Sequence, residues 1–258
     1  MANDFQPYVG PRPFEREDGQ RFYGREREAN ELLSRVVAHP ALLLYSQSGA
    51  GKTSLLNASL IPLLEKEGFE VLPAARVRGL APVNIVLEDI SNLYSFNVLL
   101  SWAEGSVEPE ALAKMRLAEF LNNSPRVSSK EGPSPRIAVF DQFEELFTFY
   151  PERWSDREDF FDQVSEVLDA DKMMRVIFVM REDYIAELDP YVFALPEKLR
   201  TRFRLERLRE ESALEAVQAP LVGTGYSFAE ANGHPLGVAE QLVNNLLKVP
   251  VETASGDA

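Results

Sequence analysis

The sequence predicts an α/β fold in which helices cover both faces of a central parallel sheet, and three observations lead to this prediction. Short apolar runs of strand length occur at 41–45, 136–140 and 175–180. These runs are almost continuously apolar, which is typical of strands buried on both faces of a parallel sheet. Amphipathic stretches with helical spacing separate them. Strands that alternate with helices form such a sheet through right-handed crossovers.

The composition is that of an ordinary globular domain. The chain has 258 residues, of which 45% are hydrophobic and 26% are charged, so one large α/β core is expected. No cysteine is present, which excludes disulfides and thiolate metal sites, and His39 and His234 lie far apart in sequence. The polar amino terminus and the shortness of every apolar run predict a cytoplasmic protein with no membrane partner.

The charge balance argues against nucleic acid as a partner. The formal net charge is −14, and a strongly acidic chain repels a phosphate backbone. A local group of arginines, which includes Arg200, Arg202 and Arg204, departs from this balance. These arginines are candidates for a second phosphate contact or for a finger that reaches a neighbouring subunit. The alternative is that they form a solvated helical face.

The remaining elements follow from helical spacing and from breaker residues. An irregular amino-terminal arm is expected over 1–22, a second strand over 69–77, and a loop rich in Ser, Pro and Gly over 124–135. Helices are expected over 26–37, 54–66, 93–102, 111–121, 157–168, 184–188, 196–202, 210–219 and 240–248.

The loop after the first apolar run carries a nucleotide-binding motif. The segment 46–53, Ser-Gln-Ser-Gly-Ala-Gly-Lys-Thr, matches a Walker A motif except that Ser46 replaces the first glycine. Small residues let backbone N–H groups surround a β-phosphate, and the positive end of the next helix faces the same phosphates. The sequence therefore predicts that ATP or ADP with Mg²⁺ is bound by Ser48, Gly49, Ala50, Gly51, Lys52, Thr53 and Ser54.

Within that loop, Lys52 is expected to reach the β- and γ-phosphates and Thr53 to ligate Mg²⁺. Ser46 departs from the motif, which has glycine at this first position. Because glycine tolerates backbone angles that serine resists, Ser46 is expected to weaken nucleotide binding. A strand before the loop and a helix after it argue against a chance match.

The second apolar run ends in acids, as a Walker B strand does. Asp141 follows 136–140 and is expected to hold Mg²⁺ through water, beside Thr53. Glu144 and Glu145 are both candidates for the group that orients and deprotonates the attacking water. The alternative is that they are solvated acids that favour a helix start. Gln142 stands where AAA-type enzymes usually carry the base.

The third apolar run ends at Arg181. Ligands of open α/β sheets lie at the carboxyl ends of the strands, so Arg181 is expected to face the γ-phosphate and stabilise its charge. The alternative is a surface ion pair with Glu182 or Asp183. Before the first helix, Gly24 lies beside an aromatic residue and could form a wall for adenine, although a simple helix start explains the same residues.

Together these segments resemble the bacterial STAND-type P-loop NTPases, an AAA-like branch of the P-loop ATPases. The likeness covers roughly 8–221, and its pieces are Pro-Tyr-Val-Gly-Pro-Arg-Pro-Phe at 7–14, Phe-Tyr-Gly-Arg-Glu at 22–26, Ser-Gly-Ala-Gly-Lys-Thr-Ser-Leu at 48–55, Asp-Gln-Phe-Glu-Glu-Leu-Phe at 141–147 and Met-Arg-Glu-Asp-Tyr at 180–184. The resemblance implies a three-layer α/β/α P-loop NTPase core. It also implies that adenine packs against Tyr23, Gly24 and Arg25, and that Arg181 contacts the terminal phosphate.

The domain organisation implied by the resemblance is an arm over 1–22, an NTPase core over 23–220 and a partial helical lid or tail over 221–258. Family members continue into a helical lid, a winged helix and usually a repeat sensor, but no clear motif for these follows Pro220.

Three functions are compatible with these sequence features. The first is a nucleotide switch that hydrolyses ATP slowly, self-associates and signals to attached effector and sensor domains. The second is a non-hydrolysing scaffold, which Ser46 and the missing lid motivate. The third is a DNA-associated ATPase similar to replication initiators, and the acidic charge argues against it.

Overall fold

The computed structural model describes residues 6–79, 82, 85–129, 132–229 and 237–248. Within these ranges, five parallel strands form one sheet in the order β2-β5-β6-β1-β7. Its strands are β1 Ala41–Ser46, β2 Glu70–Val71, β5 Arg136–Phe140, β6 Met174–Arg181 and β7 Arg202–Arg204. A separate antiparallel hairpin pairs β3 Ser128–Ser129 with β4 Gly132–Pro133, inside the predicted loop over 124–135.

Helices lie between successive strands of the sheet, as predicted, and others precede β1 and follow β7. In chain order they are α1 Glu26–Ala38, α2 Lys52–Leu55, α3 Ile61–Lys66, α4 Leu93–Ala103, α5 Pro109–Leu112, α6 Leu117–Asn123, α7 Glu145–Thr148, α8 Trp154–Ala170, α9 Ile185–Leu188, α10 Glu210–Gln218 and α11 Val238–Leu247. A π-helical segment, Leu56–Leu60, joins α2 to α3 without a break. No helix in the described ranges has both the length and the apolar character needed to traverse a bilayer.

The sheet is buried on both faces because successive side chains of each strand point to opposite sides. On β1, Leu42 and Leu44 pack with α1 and the 52–66 helix, whereas Ala41 and Leu43 pack with α4, α6 and α8. The same alternation occurs on β5 and β6. The predicted three-layer α/β/α arrangement is therefore confirmed.

The predicted second strand over 69–77 is wrong in its length. Only Glu70–Val71 forms a ladder with β5, and Ala75 adds an isolated bridge to Phe140. Pro73 lies between the two pairing points. Because proline has no N–H to donate, it interrupts the ladder.

The predicted helix over 111–121 is two helices, α5 and α6. The break is fixed by tertiary partners of the intervening residues. Arg116 has an extended backbone and pairs with Asp159 and Glu166 of α8, and the N–H of Leu117 donates to Gln163 Oε1 at 3.1 Å.

The predicted helix over 196–202 is also wrong. The chain forms one 3-10 turn, Pro196–Leu199, and then the edge strand β7. Of the three residues of β7 only Phe203 is apolar, so its sequence carries no strand periodicity. The free edge of β1 supplies the backbone partners, and Arg35 stacks on the Phe203 ring at 5.1 Å while donating to the carbonyl of Arg202.

The amino-terminal arm is more ordered than predicted, because the described part contains a 3-10 turn, Arg16–Arg21, held against the 52–66 helix. Glu15 accepts a hydrogen bond from Asn57, and Arg16 pairs with Glu65. Towards the carboxyl end, the helix predicted over 240–248 is confirmed as α11, Val238–Leu247. Residues 230–236 and 249–258 of the predicted lid or tail lie outside the described residues.

Candidate nucleotide-binding site

The carboxyl ends of three neighbouring strands meet at one cleft. In the register of β1 and β6, Ser46 pairs with Arg181, and Asp141 directly follows β5 on the other side of β6. The cleft has a volume of about 440 Å³. Its lining residues come from the loop after β1, the turn after β5, the end of β6 and the arm: Pro11, Arg12, Pro13, Ser48, Gly49, Gly51, Lys52, Thr53, Ser54, Asp141, Gln142, Glu144 and Arg181.

The loop after β1 has the backbone that its glycines predict. Gly49 and Gly51 have φ of +76° and +93°, in the left-handed region that side chains disfavour. Gly51 is the N-cap of the 52–66 helix, and residues 52–54 of its first turn line the cleft. The first N–H groups of a helix have no partner within the helix. This arrangement can hold an anion.

Lys52 is held beneath the loop by Ser46. Its Nζ donates to Ser46 Oγ at 3.0 Å and to the carbonyls of Ser46 and Gln47 at 3.4 Å each. Burial lowers the pKa of Lys52, and the negative charges of Glu144 and Asp141 act against that shift. The ammonium group is therefore partly desolvated and poised beside acceptors.

The expected backbone conflict at Ser46 does not occur. Ser46 is fully buried at the end of β1 and is not among the described residues with a positive φ. Serine therefore fits this position without the strain that motivated the expectation. Serine in place of glycine instead adds a hydrogen-bond acceptor, because the Ser46 hydroxyl accepts from Lys52.

The threonine and the aspartate predicted to hold a metal are in contact. Thr53 Oγ1 donates to Asp141 Oδ2 at 3.1 Å, and the N–H of Gln142 donates to Asp141 Oδ1 at 2.9 Å. Asp141 is buried. A hydroxyl and a carboxylate suit Mg²⁺, which takes few protein ligands and can complete its shell with phosphate and water. The donor set therefore fits the predicted ion.

The turn after β5 separates the two candidate glutamates. Gln142 has a φ of +52°, and Phe143 then inserts into the core, where its ring lies 4.8 Å from that of Phe178. As a result Glu144 lines the cleft, and its Oε2 accepts a hydrogen bond from the N–H of Arg181 at 3.2 Å.

Glu145 begins α7 and is not among the residues that line the cleft. Its carboxylate lies 3.7 Å from the guanidinium of Arg78. Burial raises the pKa of Glu145, while the nearby Arg76 and Arg78 oppose the shift. Of the two acids, the geometry favours Glu144 as the one that can reach a ligand in the cleft.

Arg181 lies at the cleft and also forms an ion pair, and its contact with a γ-phosphate stays a prediction. It lines the cleft, and its guanidinium also pairs with Asp183 and lies 5.5 Å from the ring of Tyr184. Glu182, the other proposed partner, pairs instead with Arg204 at 3.0 Å. Arg202 and Arg204 lie on β7 and are not among the lining residues of this cleft.

Of the three residues expected at adenine, Arg25 contacts the 46–53 loop. Arg25 is buried, pairs with Glu28 at 2.8 Å and donates to the carbonyl of Ala50 at 3.1 Å. Gly24 lines a neighbouring groove between α1, β7 and α10, whereas Tyr23 is half-buried. Their role toward adenine stays a prediction.

Gly24 is tightly packed against α10, which leads to a stability prediction. Its φ is +81°, and a Cβ there would lie 2.4 Å from the carbonyl oxygen of Ser212. We expect Gly24→Ala to lower the free energy of unfolding by roughly 3 kcal/mol, from a left-handed backbone of about 1–2 kcal/mol plus overpacking of similar size. Urea denaturation measures this difference.

The matched control is Gly105→Ala, where φ is +78° but a Cβ would meet nothing within 4 Å. This control should show the backbone penalty alone. Equal losses for the two variants would contradict the close packing of Gly24 on α10.

Sequence reasoning missed the arm as a wall of this cleft. Pro11, Arg12 and Pro13 line it, although they lie about forty residues before the phosphate loop. The available signal was an arginine fixed between two prolines within a segment shared with the family. Nothing in its local spacing indicates where the arm packs.

Comparison with known proteins agrees with this geometry. The family model described as novel STAND NTPase 1 matches residues 7–245. No curated protein sequence gives a significant match.

Among solved structures, the Walker-type ATPase PABY2304 of Pyrococcus abyssi aligns over 92% of this chain and 65% of its own, with 15% identity and a TM-score of 0.57. The Aeropyrum pernix ORC2 protein, solved in ADPNP–ADP complexes, aligns over 86% and 57%, with 12% identity and a TM-score of 0.54. The Aeropyrum pernix ORC1 protein, solved in complex with DNA, aligns over 77% and 49%, with 16% identity and a TM-score of 0.50. The chain thus spans between 49% and 65% of the length of these structures, and the likeness concerns the fold.

Proposed function

Because this chain belongs to the novel STAND NTPase 1 family, we propose that it is the nucleotide switch of a larger signalling or defence ATPase. It binds ATP or ADP with Mg²⁺ and hydrolyses ATP slowly. The observation that carries the proposal is the convergence of Lys52, the Thr53–Asp141 pair, Glu144 and Arg181 on one cleft.

Binding uses the backbone and Lys52. The N–H groups at the start of the 52–66 helix face the β-phosphate, and Lys52 exchanges the hydroxyl of Ser46 for phosphate oxygens. The exchange is favourable because the ammonium group then faces anionic phosphate oxygens, whose Coulomb attraction a neutral hydroxyl lacks.

Thr53 and Asp141 are the residues that would hold Mg²⁺. The ion, when bound, neutralises charge on the β- and γ-phosphates. Asp141 keeps its orientation through the N–H of Gln142, so the carboxylate is already directed at Thr53.

Hydrolysis relies on Glu144 and Arg181. Glu144 orients the attacking water and accepts its proton, while its second contact, the N–H of Arg181, fixes the carboxylate at the strand end. The guanidinium of Arg181 moves from Asp183 to the γ-phosphate and stabilises the charge there.

The same movement of Arg181 can be coupled to the carboxy-terminal elements of the chain. Arg181 is followed by Glu182, which pairs with Arg204 on β7, and β7 leads into α10. A change of partner at Arg181 therefore biases the position of the elements that precede the carboxy-terminal helices. We infer that attached effector and sensor domains, or a second copy of the chain, respond to this change.

The Ser46–Lys52 hydrogen bond favours a second candidate, a scaffold that binds nucleotide without turning it over. In that case the lysine stays with Ser46, and the cleft retains ADP or remains a weak site.

Multiple-turnover phosphate release from ATP separates the switch from the scaffold. We expect slow release that depends on Mg²⁺ and stops when EDTA removes the ion, because the phosphate charge is then no longer neutralised. Saturable ATP binding without any release would favour the scaffold, and release that persists in EDTA would contradict the metal assignment.

A further inference from the structure

The amino-terminal arm is attached to the first turn of the helix that follows the phosphate loop. The N–H of Phe14 donates to Ser54 Oγ at 3.2 Å, and the Phe14 ring meets Phe22 edge-on at 5.2 Å. These contacts place the preceding Pro11, Arg12 and Pro13 on the wall of the cleft that contains Lys52. The two prolines restrict the backbone on both sides of the arginine. Arg12 is thereby presented to the cleft by a stiff segment.

Arg12 pairs with a buried carboxylate. Its Nη1 lies 2.6 Å from Asp18 Oδ2 and its Nη2 lies 3.2 Å from Asp18 Oδ1, a two-pronged contact. Asp18 is only 2% exposed. The hydrogen bond from Arg12, followed by that from the N–H of Glu15, lowers the pKa of Asp18 to about 2. Asp18 is therefore ionised at neutral pH, and it lies in the 3-10 turn Arg16–Arg21 of the arm.

The carboxylate does not depend on Arg12 alone. Arg21 also pairs with Asp18, and the N–H of Glu15 donates to Asp18 Oδ2 at 2.9 Å. If Arg12 turned away, one guanidinium and one backbone donor would still compensate the buried charge. Arg12 is also the more accessible of the two arginines, with a side chain 50% exposed against 33% for Arg21. The arrangement lets Arg12 change partner without leaving Asp18 unpaired.

We propose that Arg12 is a phosphate-binding residue, supplied by the arm of the same chain to the polyphosphate of the nucleotide. This inference rests on the proposed function, in which the cleft holds ATP or ADP. A guanidinium presents paired N–H donors that match phosphate oxygens. Arg12, Lys52 and Arg181 then form three cationic contacts from three different segments of the cleft wall. The arm is thereby held more firmly when nucleotide is present.

The test compares Arg12→Gln with Arg21→Gln in titrations of the full chain with Mg·ATP. Both variants remove one arginine from Asp18, but Arg21 is not among the residues that line the cleft. We expect Arg12→Gln to weaken ATP binding about tenfold and Arg21→Gln to stay within about twofold of the parent. Arg12→Lys, which keeps the charge but not the paired donors, should fall between them.

Thermal unfolding of the same variants separates binding from folding. A structural role at Asp18 alone would lower Tm in both glutamine variants and leave ATP affinity equal between them, and that result would overturn the inference. If Arg12→Gln is too unstable to titrate, parent-like ATP affinity in Arg12→Lys at a lowered Tm would also overturn it. The parent and Lys52→Ala serve as references. Failure of the parent to bind would remove the proposed function itself, whereas loss in Lys52→Ala without loss in Arg12→Gln would remove only the role of Arg12.

Discussion

Lys52→Ala is expected to lose most of its affinity for both ATP and ADP. The ammonium group lines the cleft, and its hydrogen-bond partners are neutral oxygens that it can exchange for phosphate. A hydrogen bond from a charged group contributes about 1.5–3 kcal/mol, which corresponds to roughly 10- to 150-fold in the dissociation constant. Isothermal titration with each nucleotide in Mg²⁺ measures the loss.

Lys172→Ala is the matched control. Lys172 is an exposed lysine whose pair, Asp169, lies three residues away at 3.1 Å, so its removal should leave nucleotide affinity unchanged. Burial lowers the pKa of Lys52, which means that folding disfavours the charged form of this side chain. We therefore expect Lys52→Ala to keep the Tm of the parent. Equal ATP affinity in Lys52→Ala and Lys172→Ala would contradict the assigned role of the loop.

Glu144→Gln is expected to reduce the rate of phosphate release about 100-fold or more while leaving ATP binding intact. The amide can keep the hydrogen bond from the N–H of Arg181, but it cannot accept a proton from water at neutral pH. A positioned base contributes about 10²–10⁴-fold to such reactions. Multiple-turnover phosphate release and ATP titration, carried out on the same preparation, measure the two quantities.

Glu145→Gln provides the comparison within the same turn. Its carboxylate lies near Arg78 and away from the cleft, so turnover should change little. A large loss in Glu145→Gln with normal turnover in Glu144→Gln would reverse the assignment of the base. Equal turnover in the parent and both variants would favour the non-hydrolysing scaffold.

The sequence predicts best those elements whose burial produces a recognisable pattern of apolar residues along the chain. The strands 41–46, 136–140 and 174–181 are apolar along most of their length because both faces of the sheet are covered. β7 leaves no such pattern, since an edge strand of three residues with two arginines depends on the backbone of β1. Its place in the sheet is a tertiary property.

The site residues also fall into two groups, those that a sequence motif predicts and those whose position depends on tertiary structure. Lys52, Thr53 and Asp141 follow from motifs in which spacing along the chain fixes position in space. The choice between Glu144 and Glu145 depends on the positive φ of Gln142, which the sequence does not indicate. Arg12 enters the cleft only because the arm packs on a helix about forty residues later in the chain.

The most direct test of the central claim is a crystal structure of the protein with Mg²⁺ and ADP. We expect the β-phosphate to lie on the backbone amides between Gly49 and Lys52, with the ion beside Thr53 and Asp141. ADP bound at another surface of the domain, or an empty cleft at millimolar ADP and Mg²⁺, would contradict it.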